Sequence, residues 1–99
     1  MNRITSKQRA YLKSLAQTIE PIFQIGKSGI TPEITKSIDE ALEARELIKI
    51  NVLNNCMLDL ADAAETLSGR TQSVVVQVIG RKIVLYRVSK KQAKINLPK

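Results

Sequence analysis

The sequence predicts an α/β domain with the order α-β-α-β-α-β-β, a mixed four-stranded sheet packed with three helices. Three observations carry that prediction. Apolar residues recur at helical spacing in three separate segments, each followed by a short β-rich run. Helices that alternate with strands imply parallel crossover connections, whereas two final strands joined by Gly80-Arg81 alone must pair antiparallel. A length of 99 residues suits one domain, residues 1–99, with a core that needs neither disulfide nor metal.

Met1 to Thr5 reads as a loose end, and Thr5 or Ser6 caps a first helix running to about Gln17. Its stripe is Leu12, Leu15, Ala16 and Ile19, which leaves Lys7, Arg9 and Lys13 free to face solvent or a ligand. Pro21 stops the helix, and Ile22, Phe23 and Ile25 form a short strand. Thr31 and Pro32 read as the N-cap and first position of a second helix ending near Arg45, with Ile34, Ile38, Ala41 and Leu42 as its apolar face. Leu47 to Leu53 is a strand, and Asn54-Asn55 a turn.

A third helix is expected from about Met57 to Ser68, with Met57, Leu60, Ala61, Ala64 and Leu67 inward, Asp59, Asp62 and Glu65 outward, and Gly69 as its C-cap. Ser73–Ile79 and Lys82–Tyr86 then read as a hairpin whose glycine-first link suits a type II′ turn. Val74, Val75, Val76, Val78 and Ile79 are apolar on both parities, so at least one of these two strands should be central and well buried. Residues 89–99 form a basic tail, expected to be partly ordered.

Charge narrows the function. The net charge is +7, with basic segments before residue 32 and after residue 69 flanking an acidic middle. Such asymmetry points to a polyanionic partner. Only Tyr11, Phe23 and Tyr86 are aromatic, which disfavours a platform of several rings stacking on bases. Tyr86, late in an apolar strand, suits the core or its rim better than a base. Cys56 stands alone without any histidine, so neither a disulfide framework nor a Cys/His zinc site is available, and the reduced cytoplasm is the expected compartment. No leader and no run of about 18 apolar residues is present, so no membrane association is expected.

Catalysis has little to work with. Without histidine no Cys-His or Ser-His-Asp set can form, and Asp39, Glu40, Glu43 and Glu46 read as a solvated face. The expectation is a non-enzyme with no cofactor, no metal and no small-molecule substrate. Cys56 reads as a small buried residue at the start of the third helix.

Ile25-Gly26-Lys27-Ser28-Gly29-Ile30-Thr31-Pro32 is the stretch with chemical promise. It is not a nucleotide-binding P-loop, because Pro21 stands where that motif needs its first glycine. It compares better with the GxxG loop by which KH domains clamp nucleic-acid backbone. Lys27 would supply charge, Ser28 a hydrogen bond, and the following helix N-terminus a favourable dipole.

Four blocks in register resemble one family, the CRM domain, the chloroplast RNA splicing and ribosome maturation module. They are Thr5-Ser6-Lys7-Gln8-Arg9-Ala10-Tyr11-Leu12-Lys13, the loop Ile25 to Thr31, Ala41-Leu42-Glu43-Ala44-Arg45-Glu46-Leu47-Ile48-Lys49-Ile50, and Val76-Gln77-Val78-Ile79-Gly80-Arg81-Lys82-Ile83-Val84-Leu85-Tyr86-Arg87. The resemblance is to the small stand-alone bacterial form. It implies an RNA-binding domain with a fold similar to the C-terminal domain of translation initiation factor three, acting on precursors of the large ribosomal subunit. Ile30 replaces the usual leucine, and Asn54 to Met57 replace residues that are commonly charged.

The expected RNA contacts are Gly26, Lys27, Ser28, Gly29 and Thr31 in the loop, with Lys7, Arg9 and Lys13 on the first helix. Arg81, Lys82 and Arg87 in or beside the hairpin complete the set. The protein is expected to be a monomer whose partner is ribosomal RNA precursor. The rival reading is a protein–protein adaptor that docks a basic partner through the acidic second and third helices, with Asp59, Asp62 and Glu65 as the residues to reverse.

Overall fold

The computed structural model describes residues 4–98, so most of the expected N-terminal loose end (residues 1–3) and the last tail residue lie outside the described residues. The elements follow the expected order: α1 Ser6–Ala16, β1 Phe23–Ile25, α2 Pro32–Arg45, β2 Leu47–Val52, α3 Leu60–Thr71, β3 Val74–Ile79 and β4 Lys82–Tyr86. The sheet order is β1-β2-β4-β3, with β1 parallel to β2 and the other pairs antiparallel.

Strand β4, expected to be one of two candidates for the centre, lies between β2 and β3, and Ile83 to Tyr86 are all buried. The valine-rich β3 is one of the two edges, with Val78 41 % and Ile79 56 % exposed. Its two-sided apolar character therefore marks the hairpin tip more than a buried centre. A bulge between Val75 and Gln77 puts Val76 out of register, and the Arg9 guanidinium donates from Nη1 to the carbonyls of Val75 (2.6 Å) and Val76 (2.8 Å). Bulging and the occupation of strand carbonyls by a side chain both discourage an edge strand from pairing with another chain. Gly80 has a φ of 59°, as the first corner of a II′ turn requires, while Arg81 stays at negative φ.

Two apolar cores lie on opposite faces of the sheet. One joins Ile38 and Leu42 of α2, Ala63, Ala64 and Leu67 of α3, and Ile48, Ile50, Ile83 and Leu85 of the central strands. The other joins Leu12 and Ala16 of α1 to Leu47, Val76, Val84 and Tyr86, with Ile95 and Leu97 of the C-terminal segment packed against it. Tyr86 is 4 % exposed and belongs to this core.

Helix α1 starts with a capping box: the Thr5 hydroxyl accepts from the Gln8 N–H at 3.1 Å, and the Gln8 side chain accepts from the Thr5 N–H at 3.0 Å. The third helix departs from expectation at both ends. Asp59, assigned to the polar face, instead caps the helix by accepting from the Ala61 N–H at 3.2 Å. Gly69 lies inside the helix, which continues because buried Thr71 extends the Ala64–Leu67 stripe by one turn; Gln72 closes it in the left-handed conformation. Met57 is thus not a core residue but 90 % exposed, and Cys56 is buried ahead of the helix rather than at its start.

Within the acidic cluster Glu40 is exposed, as expected of a solvated face, but Glu43 and Glu46 are engaged in the fold. Glu46 is fully buried and accepts the backbone N–H groups of Lys94 and Ile95, both at 2.7 Å, together with that of Ser89. Glu43 accepts the Ser89 hydroxyl at 2.6 Å and the N–H groups of Lys90 and Lys91. The C-terminal segment has no helix or strand through Pro98, yet these carboxylates tie it to the end of α2.

Candidate nucleic-acid interface

Strands β1 and β2 run parallel and finish at the same end of the sheet, and the β3–β4 turn reaches that end too. Residues 26–31 lead from β1 to α2 there. The Gly29 N–H donates to the Gly26 carbonyl at 3.0 Å, closing a tight turn with Lys27 and Ser28 at its exposed corners. Each glycine has its own cause. Gly29 sits at a φ of 70°, which strains any residue with a Cβ. At Gly26 a Cβ would stand 3.1 Å from the Asn55 amide oxygen and 3.3 Å from Leu53 Cδ1. The second loop, after β2, therefore packs against the first, and exposed Met57 and Leu58 belong to the same corner.

The α2 N-terminus offers less to an anion than a bare helix end. Thr31 Oγ1 accepts from the Ile34 N–H at 3.1 Å, and Pro32 has no N–H, leaving the Glu33 N–H as the donor of the first turn with no partner among the described residues. The Glu33 carboxylate beside it opposes a phosphate. Thr31 still keeps its hydroxyl proton to donate. The loop's strongest anion-directed groups are thus the Lys27 ammonium and the Ser28 hydroxyl, both on exposed residues.

Of the hairpin cations, Arg81 and Lys82 reach this end of the sheet. Arg81 donates from Nε to the Val52 carbonyl and from Nη2 to the Leu53 carbonyl, both at 2.9 Å, so it braces the second loop with part of its guanidinium. Lys82 is exposed. The α1 cations are not gathered at the loop: α1 packs over Leu47, Val76, Val84 and Tyr86, at the other half of the sheet. Lys7 and Lys13 are exposed there, while Arg9 is half-buried on the β3 carbonyls.

Arg87 leaves the candidate set. Its side chain is 4 % exposed and forms ion pairs with Asp39 and Glu43, the latter at 3.1 Å, while a third bond goes to the Thr71 carbonyl at 3.2 Å. A guanidinium committed to two carboxylates under the C-terminal segment carries no net attraction for phosphate. The Ser89 hydroxyl, then the Lys90 and Lys91 N–H groups and the Arg87 charge, hold the Glu43 carboxyl down at about 2 from an ordinary value of 4.5. Burial disfavours the charged form of Glu46, but the N–H groups of Ser89, Ile95 and Lys94 outweigh it and lower its pKa.

Sequence reasoning missed the part played by the second loop. The close approach of Asn55 to Gly26 has no local signal, because the two residues are 29 apart in the chain. The fold also separates charge. The four strands contain no Asp or Glu, α1 contains none, and α2 and α3 hold Glu33, Asp39, Glu40, Glu43, Asp62 and Glu65 on the other side of the sheet.

The model of the CRS1 / YhbY (CRM) domain matches residues 4–87, and the chain belongs to that family. Among individual proteins, it is 50 % identical over 95 residues to the Bacillus subtilis "Probable RNA-binding protein YqeI", covering 96 % of this chain and 99 % of that one. A Haemophilus influenzae protein named "RNA-binding protein" is 34 % identical over 99 residues, covering 100 % of this chain and 99 % of its own. The solution structure of a hypothetical Staphylococcus aureus protein superimposes with a TM-score of 0.81 at 55 % identity, covering 97 % of this chain and 100 % of that one.

Proposed function

We propose that this protein is a non-enzymatic RNA-binding factor of the bacterial cytoplasm that acts as a monomer on ribosomal RNA precursors and assists assembly of the large ribosomal subunit. The observation that carries the reading is the exposed Lys27-Ser28 turn, held by two glycines that the backbone and the neighbouring loop both require. Lys27 and Ser28 take phosphate oxygens, Thr31 adds a hydroxyl, and Lys82 with the free edge of Arg81 widens the footprint. Lys7 and Lys13 make a second, separate basic patch. Relatives named as RNA-binding proteins support RNA as the polyanion. Phosphate contacts fix register and carry little sequence information, so the loop anchors rather than selects.

Lys27→Glu tests the loop. It should weaken binding to precursor ribosomal RNA by about tenfold, near 1.4 kcal/mol, with an unchanged thermal melt. Equal affinity in the variant sinks the loop assignment. The assembly role is tested by sedimentation of ribosomes from cells lacking the protein, where immature large-subunit particles should accumulate; a normal profile overturns that role. Reversing exposed Asp62 and Glu65 should leave ribosome association intact. Its loss with RNA affinity retained would favour the adaptor reading instead; Asp59 is unsuited to this test because it caps α3.

A further inference from the structure

Helix α1 covers only half of its side of the sheet. Beyond it, Gln24, Asn51, Lys82 and Ile79 are successive register partners across all four strands, forming one row on one face. Their chain neighbours Ile25, Ile50, Val52 and Ile83 point into the opposite core, which fixes the direction of the row. Gln24, Lys82 and Ile79 are exposed, Asn51 is half-exposed, and Lys49 lies half-exposed one rung nearer α1. The row begins two residues before Gly26, so it is continuous with the glycine loop.

Nothing in the fold's stability calls for these residue types. Asn and Lys are disfavoured in strands, yet β2 is a central strand and carries both on its open face. Among the described residues, neither the Gln24 nor the Asn51 amide is hydrogen-bonded to another group. No carboxylate stands on any strand. Two unengaged amides beside the Lys82 and Lys49 ammonium groups offer donors, acceptors and positive charge together, which matches base edges beside a phosphate backbone.

We propose that this open row reads the bases of single-stranded RNA whose backbone the glycine loop holds. The inference rests on the proposed RNA-binding role of the loop and adds the ligand's form and the residues that discriminate. A row three strand spacings wide spans about 14 Å and cannot enter the deep, narrow major groove of an RNA duplex, whereas splayed bases can lie across it. With Phe23 facing the other core and Tyr86 buried, the row contains no ring, so selection comes from hydrogen bonding rather than stacking. Side-by-side amides favour adenine, whose edge pairs donor with acceptor as a carboxamide does.

The test uses the full chain and fluorescence anisotropy with labelled oligo-A, oligo-C and oligo-U strands about 12 nucleotides long, and an RNA duplex of about 16 base pairs. Wild type should prefer oligo-A. The double variant Gln24→Ala, Asn51→Ala should lose that preference, with oligo-A affinity falling about tenfold while duplex binding changes less than about twofold. Its circular dichroism melt should match wild type. Lys27→Glu should weaken all four probes alike. If Lys27→Glu loses binding while the double variant keeps the wild-type order, the base-reading row is overturned and the loop stands. A wild type that does not discriminate among the strands likewise overturns the row. A wild type that binds none of the probes overturns the loop reading and the row together.

Discussion

Glu46 ends α2 at a φ of 68°, a left-handed angle that glycine usually supplies, and buries its side chain completely. Its carboxylate repays the backbone strain by accepting three N–H groups from the C-terminal segment. Glu46→Gln keeps the shape but turns an amide donor toward a backbone N–H, and should destabilise the protein by about 1–3 kcal/mol in urea unfolding. Gly29 makes the contrasting case. A Cβ there would meet its nearest neighbour only at 4.0 Å, so Gly29→Ala should cost backbone strain alone, about 1–2 kcal/mol. At this scale the sequence displayed the glycines and the Lys-Ser pair plainly. It could not display that Asn55 fills the space beside Gly26, or that Arg87 is occupied by Asp39 and Glu43, since those partners come from distant segments.

At the scale of elements, α2, β2 and the hairpin were legible because their caps and periods agree with their burial. Helix α3 was not. Met57, Leu60, Ala61, Ala64 and Leu67 satisfy helical spacing, and Gly69 mimics a C-cap; the packed stripe instead runs Ala63, Ala64, Leu67, Thr71. Leu60, Ala64 and Leu67 do pack inward as expected, but Met57 and Gly69 together set both helix ends about three residues too early, and only packing on β3 and β4 fixes them. Gly69→Ala decides between the two helix ends by its sign. In an exposed helix interior, with no atom within 4 Å of the added Cβ, it should stabilise by about 0.5–1 kcal/mol in thermal or urea unfolding. A glycine serving as a left-handed cap would instead be destabilised by alanine. Strand β3 teaches a related point: five aliphatic residues cannot say whether a strand is central, because the sheet order is set by which strand the crossovers leave room for.

Across the whole molecule, the sheet divides an acidic layer of α2 and α3 from a face whose strands and helix carry no acid. RNA binding to the proposed surface should therefore fall steeply with added salt, its log–log slope counting the phosphates neutralised, and Lys27→Glu should make that slope shallower. The C-terminal clasp makes a separate, pH-dependent prediction. The Glu43 carboxyl titrates at about 2 in the folded protein against 4.5 ordinarily, so the folded state binds its proton less readily than the unfolded chain. That contribution is complete above 4.5 and is lost as pH falls from there toward 2. Melting temperatures should decline across that window, and Glu43→Gln should flatten the decline. By itself the sequence determined the element order, the turn chemistry, the basic ends and the Lys27-Ser28 turn, because caps, periods and charge are local properties. Tertiary structure decided which cations remain free, where α3 begins, and that β4 rather than β3 is buried. Those outcomes depend on which distant groups meet across the sheet, and no local pattern encodes that meeting.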